Sequence, residues 1–141
     1  MPEQPTPQQR ISNAEVVRRV NEAFNAGDID RTLELIHPDF VATVPPEYSA
    51  EPDTYRGQDG MRRYFDSFHE AMNEIRFEQI EVREVGPLVV VAVRLTAVGR
   101  STGITVEQRL AQVWSVLDGQ ALEVRSFPSF EAAVAAAELE A

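Results

Sequence analysis

Residues Thr105 to Pro128, TVEQRLAQVWSVLDGQALEVRSFP, admit few folds. Asp118-Gly119 divides two alternating runs. This is a hairpin signal, because Gly accepts positive φ at no steric cost and the turn matches the twist of paired strands. On the first strand Val106, Leu110, Gln112, Trp114 and Val116 share one face, and Glu107, Arg109, Ala111, Val113, Ser115 and Leu117 the other. The second strand sets Leu122, Val124, Ser126 and Pro128 against Ala121, Glu123, Arg125 and Phe127. Gln112 and Ser126 thus fall on the face of Trp114. That face is either a core holding two satisfied polar groups or the wall of a pocket.

Upstream, Ser12-Asn13-Ala14-Glu15 is a capping box, in which Ser12 accepts from the Glu15 amide while Glu15 reaches back. The helix that follows carries Val16, Val17, Val20, Ala23 and Phe24 as one stripe and is stopped by Gly27. Asp28 caps a short second helix through about Ile36, which His37-Pro38-Asp39 ends. Phe40 to Val44 predicts a short strand. Residues 45 to 57, PPEYSAEPDTYRG, predict a long ordered loop and a candidate lid. A third helix runs from Gly57-Gln58-Asp59 to about Asn73, with Met61, Tyr64, Phe65, Phe68 and Met72 as its stripe and His69 at the edge. Ile75 to Val85 and the strongly apolar Leu88 to Val98 predict two strands joined at Gly86-Pro87, the second covered on both faces. Ser129 caps a closing Ala-rich helix. Helices first and antiparallel strands later mean an α+β fold, with the helices covering one face of a four-strand meander. Residues 1–10, rich in Pro and Gln, are expected to form a flexible tail before a single domain over 11–141.

Bulk properties close off several functions. The chain of 141 residues is large enough to bury about 68% of its unfolded surface in one core. A net charge of -10 disfavours nucleic acid and anionic membranes, which need a basic footprint. There is no Cys, so disulfides, thiolate metal sites and cysteine nucleophiles are excluded. There is no Lys, which excludes a Schiff-base or P-loop lysine. No apolar run reaches the ~20 residues of a membrane span, and the first residues are not a signal peptide, so a soluble cytoplasmic protein is expected.

The order and spacing of Phe24-Asn25-Ala26-Gly27-Asp28, His37-Pro38-Asp39-Phe40, Tyr55-Arg56-Gly57 and Val113-Trp114-Ser115-Val116-Leu117-Asp118-Gly119, completed by Val124 to Phe127 and an Ala-rich helix, resemble the nuclear transport factor 2-like superfamily and its SnoaL-like polyketide-cyclase group. The resemblance implies a cone-shaped, cystatin-like barrel, its curved antiparallel sheet wrapped around three N-terminal helices. It also implies an internal cavity and a homodimer formed through the sheet. It does not settle function, because superfamily members include enzymes and non-catalytic domains. Relatives resembling ketosteroid isomerase place a carboxylate base, a Tyr donor and a protonated Asp where this chain has Val44, Val20 and Gln112. Relatives resembling limonene epoxide hydrolase place a carboxylate where Ser126 stands between Arg125 and Phe127. The best-known family acids and bases are therefore missing at the matched positions.

What remains is a predicted pocket lined by Val20, Phe24, Val44, Tyr55, Tyr64, Phe68, Gln112, Trp114 and Ser126. His69 and Gln112 are the weak catalytic candidates, His69 because its ordinary pKa lies near neutrality. Against that stands the plainer role of a half-exposed His beside an apolar stripe. His37 reads as a structural helix end and Asp39 as a satisfier of backbone donors. The two histidines have no ligand-spaced partners, so neither metal nor cofactor is expected. Arg94 and Thr96 share a face that is either pocket or dimer contact. The leading functional reading is a cavity that binds a small apolar or weakly polar molecule. A polyketide-cyclase or isomerase-like enzyme using His69, Gln112 or a Tyr, and an interaction module with a filled cavity, are the alternatives.

Overall fold

The computed structural model describes residues 12–44 and 53–140. Helix α1 (Asn13–Asn25) starts at Ser12, whose hydroxyl accepts from the Glu15 amide at 3.1 Å. Only this half of the predicted capping box forms as expected: the Glu15 carboxylate pairs with Arg18 and Arg19. Asp28 caps α2 (Ile29–Glu34) by accepting from the Arg31 amide at 3.0 Å.

The chain then differs from its sequence reading. The second helix does not reach Ile36. Leu35 closes it, and β1 (Ile36–Val44) begins at once, taking in His37-Pro38-Asp39. Sheet pairing wins over helix continuation, because Ile36 pairs with Ala121 and the Ala121 amide donates to the Leu35 carbonyl at 2.7 Å. His37 therefore caps no helix; its Nδ1 accepts from the Asp39 amide at 3.0 Å. Among the described residues the Asp39 side chain, 85% exposed, accepts from no backbone donor, contrary to expectation. Within the predicted loop, Asp53–Arg56 is a strand, β2, antiparallel to β1, and residues 45–52 lie outside the described set.

Helix α3 (Gly57–Ala71) is followed by β3 (Met72–Val85), β4 (Leu88–Gly99), β5 (Thr105–Leu117), β6 (Gln120–Phe127) and α4 (Phe130–Glu140). The last four strands form the predicted meander. β1 joins β6 in parallel, which gives one six-stranded mixed sheet in the order β2-β1-β6-β5-β4-β3. At the hairpin tip, Asp118 (φ 52°) and Gly119 (φ 77°) both take the left-handed conformation that a type I′ turn demands.

Extra residues at four places bend the sheet. One set lies in β1 against β6, between Ile36 and Val41. Two lie in β3 against β4, between Asn73 and Arg76 and between Gln79 and Glu81. The fourth is Leu122, which has no partner on β5 because Ser115 pairs with Glu123 and Val116 with Ala121. This bulge corrects the alternation expected for β6: Ala121, not Leu122, joins Val124 in the main core.

The inner face of the sheet meets α1 and α3. Phe24 is the hub, with its ring 5.1–5.8 Å from those of Tyr64, Phe65, Phe68, His69 and Phe77. Burying such a ring contributes about 1.5–3 kcal/mol. The outer face carries a second, smaller cluster, in which Val90, Ala111 and Val113 lie under Ala133, Val134 and Ala137 of α4. Arg94 and Thr96 belong to this outer side, because their inner-facing neighbours on β4 are Val93, Leu95 and Ala97. Arg94 Nε donates to Glu107 at 3.0 Å, so it does not line the interior.

Helix α3 sits very close to β2. A Cβ placed on Gly60 would stand 2.8 Å from the Tyr55 carbonyl carbon. Ala normally improves a helix interior over Gly by up to ~1 kcal/mol. Here Gly60→Ala is expected to lower stability by about 1–3 kcal/mol in urea titration, because backbone must shift to admit the methyl.

Candidate functional site

Between the inner face of the sheet and helices α1 and α3 lies a cavity of about 60 Å³. That is room for roughly four to six waters, and less than half of the roughly 150 Å³ that an apolar cavity needs to take one benzene. Each element contributes to the wall for a reason already visible in its periodicity. α1 turns Val20, Asn21 and Phe24 inward, α3 turns Met61 and Tyr64, and β5 presents Gln108, Leu110, Gln112 and Trp114 in strict alternation. β6 adds Val124 and Ser126, and β1 adds Ala42 and Thr43.

Six of the expected pocket residues, Val20, Phe24, Tyr64, Gln112, Trp114 and Ser126, lie on this wall. Two do not. Tyr55 is fully buried behind Tyr64, with ring centres 5.1 Å apart and the Arg63 guanidinium over the Tyr55 ring, 4.3 Å from its centre. Phe68 packs between Phe24 and Phe77 without reaching the space. Both residues follow the α3 stripe or its neighbour strand, but each is shielded by another aromatic ring. The side chain of Val44 lies outside the described set.

His69 is also absent from the wall. It stacks on Phe65 (4.2 Å, 27°), and its Nε2 stands 3.1 Å from the Phe24 carbonyl. A carbonyl only accepts, so the ring carries its proton on Nε2. Burial pushes the His69 pKa below its ordinary value, with the Phe24 carbonyl partly opposing. His69 thus joins α3 to the end of α1 as a neutral ring.

The polar part of the wall is uncharged. Trp114 Nε1 donates to Gln112 Oε1 at 3.0 Å, so the indole orients the amide and occupies its oxygen. Burial pushes the Tyr64 phenol above its usual range, with Tyr55 adding to the effect, so the hydroxyl stays protonated. Asn21, Thr43 and Gln108 were not foreseen. Asn21 had a signal: it stands four residues after Val17 and three before Phe24, a polar side chain inside an apolar stripe. It is 7% exposed, and its Nδ2 has no hydrogen-bond partner among the described residues. Nor do the described residues contain a cluster of three or more His, Asp or Glu able to hold a metal ion.

A curved mixed sheet closed by helices over a cavity defines the nuclear transport factor 2-like, cystatin-like class of α+β proteins. Within it, the chain belongs to the SnoaL-like domain family, whose pattern matches residues 17–124. No curated protein matches significantly. Solved structures do. A nuclear transport factor 2-like protein from Burkholderia thailandensis E264 is 24% identical with a TM-score of 0.73, over 90% of this chain and 97% of its own. A candidate polyketide cyclase from Xanthomonas campestris pv. campestris is 19% identical with a TM-score of 0.71, over 88% and 95%. A Catenulispora acidiphila DSM 44928 protein with a ketosteroid isomerase-like fold, solved with trimethylamine, is 10% identical with a TM-score of 0.72, over 89% and 92%. At these identities the likeness is one of fold.

Two outcomes follow from the site. Gln112→Leu strands a buried indole N–H and is expected to cost about 1–3 kcal/mol, whereas adding Trp114→Phe to it should recover part of that loss by removing the orphaned donor. Chemical denaturation of the single and double variants checks this. For His69, the folded pKa lies below the unfolded value, so the folded state binds fewer protons and stability rises with pH across that interval. Melting temperature should therefore fall as pH drops from about 7.5 through about 6.5 and below. In His69→Gln that part of the slope should disappear, and an unchanged slope would contradict the assignment.

Proposed function

We propose that the protein binds a small, neutral, apolar or weakly polar molecule in the cavity between the sheet and helices α1 and α3. One observation carries this reading: the described wall is apolar apart from a strip of uncharged amides and hydroxyls, with no Asp, Glu, His or Arg on it. Uncharged polar groups orient a ligand without the desolvation cost of a buried charge. Fold supports a small-molecule role in general, since solved structures similar to this chain include one in complex with trimethylamine. A cyclase- or isomerase-like activity is the second reading, favoured by the name of a relative. It ranks lower because His69 is held at the Phe24 carbonyl and the described wall offers no base. A filled-cavity interaction module ranks third, since side chains leave part of the interior unfilled. We further propose a cytoplasmic homodimer joined through the outer sheet face, where Ile80 is 51% exposed beside the α4-covered cluster. Among the described residues no helix is long and apolar enough to cross a membrane.

The chain's single Trp is Trp114, so its fluorescence reports from the wall itself. Titration with neutral one-ring compounds such as toluene and acetophenone should change Trp114 emission saturably. It should also raise the melting temperature, because ligand at a hundred times Kd stabilises by about 2.7 kcal/mol. Benzoate should do neither. Ala42→Leu, which fills the cavity, should abolish both responses in a protein that remains folded. If no neutral compound produces either response, the ligand-binding reading fails.

A further inference from the structure

Helix α4 is apolar on two sides. Ala133, Val134 and Ala137 are buried against the sheet. Ala132, Ala135, Ala136 and Leu139 form a second stripe, which turns outward: Ala135 and Leu139 are exposed and the other two half-buried. A helix that is apolar all round is normally covered all round. Leu139, at 89%, is the most exposed large apolar side chain among the described residues.

The two ends of α4 complement each other. The N-terminal end borders an open groove of about 130 Å³ on the outer side of the sheet, walled by Ile80, Ala92, Pro128, Phe130 and Arg109. That approaches the roughly 150 Å³ that holds one benzene, so an aliphatic side chain fits. Among the described residues Arg109 makes no salt bridge. Glu107, the acid it acts on through space, gives both carboxylate oxygens to Arg94, at 3.0 and 3.2 Å. The C-terminal end carries the counterparts. Leu139 is an apolar side chain without a pocket, and Glu138 makes no salt bridge among the described residues, whereas Glu140 is held by Arg125. Within one chain these groups cannot meet, because Phe130 and Leu139 lie roughly 14 Å apart along the helix.

We infer that α4 is an interaction surface for a second copy of this chain, whose α4 lies antiparallel along the outward stripe about a two-fold axis level with Ala135. The inference rests on the homodimer reading above and names its contact. Such an axis brings Leu139 of each copy level with the first turn of α4 in the other, where it enters the groove beside Ile80. Glu138 arrives with it and pairs with Arg109. The same cation offsets Glu131, the acid of that first turn, which would otherwise repel Glu138. Ala132, Ala135 and Ala136 let the two helices approach closely. One symmetric contact thus serves both grooves and both unpaired charges, and it closes on itself instead of propagating. Each copy carries a net charge of -10, so association needs a cation at the contact, and Arg109 supplies it.

Sedimentation and a cysteine cross-link test this contact. The wild type should sediment as a dimer. Leu139→Asp changes a side chain almost free of contacts within the chain, so the far-UV circular dichroism should be unchanged while the dimer weakens about tenfold or more. Arg109→Glu and Glu138→Arg should each weaken the dimer several-fold, and the double variant, which reverses the pair, should recover part of the loss. The chain has no Cys, so Ala135→Cys carries the only thiol. Mild oxidation should link two copies through it, whereas Ile104→Cys, on the loop between β4 and β5 and 63% exposed, should stay unlinked. A Leu139→Asp variant as tightly dimeric as the wild type overturns the α4 contact and leaves the homodimer reading standing. So does a dimeric Ala135→Cys variant that fails to cross-link. Losses that simply add in the double variant overturn the Glu138–Arg109 pairing. A wild type that sediments as a monomer at high micromolar concentration removes the homodimer reading and this inference with it.

Discussion

From Leu110 to Trp114, β5 is packed from both sides. Leu110 and Trp114 face the main core, and Ala111 and Val113 face α4. A one-residue slip would exchange these sets. It would put the Gln112 amide and the bulky Trp114 indole under the small, apolar surface of Ala133 and Ala137 and would leave small side chains lining the cavity. Double burial thus sets the register, and the same register decides that the wall carries Gln112 and Trp114. Sheet stability and cavity chemistry are one constraint.

A cavity in a packed protein tends to collapse unless its walls are held apart. Polar bonds at several places hold them. The Asn25 side chain reads the Phe77 backbone as a neighbouring strand would, donating at 3.1 Å and accepting at 2.8 Å, and this fixes α1 against β3. His69 ties α3 to the last turn of α1. Gln58, at the start of α3, donates to the carbonyls of Leu33 and Ile36 at 3.1 and 3.2 Å. None of these groups lines the cavity, and together they fix both helices relative to the sheet. The aromatic contacts around Phe24 then stiffen the frame, because tilted and edge-on rings interlock.

What could be read in advance follows the range of the forces involved. Local signals were legible: the Ser12, Asp28 and Ser129 caps, the Asp118-Gly119 turn, and the meander of four alternating strands. Most of the wall followed from periodicity, because alternation on β5 and the α1 stripe assign faces without knowledge of distant partners. The misses are long-range. Ile36 became strand rather than helix because Ala121, far along the chain, claimed the Leu35 carbonyl. β2 hid in a Pro-rich, acidic stretch because its strand character comes from pairing with β1 rather than from its own composition. Leu122 broke the β6 alternation because a bulge is set by sheet curvature. Tyr55 and Phe68 had the right periodicity but are screened by Tyr64, Phe24 and Phe77, and depth behind a ring has no one-dimensional signature.

The chemistry of the wall separates this chain from the better-known reactions of its fold. A carboxylic acid in an apolar cavity can be held neutral and give up a proton, and relatives with such groups exploit that. An amide in the same place cannot titrate. Gln112, locked by Trp114, offers a fixed donor whose strength does not change across the neutral pH range. Tyr64 is pushed the same way, since burial keeps its phenol protonated. Every polar group described on the wall thus holds its protons at neutral pH, so the cavity discriminates by shape and by hydrogen-bond polarity.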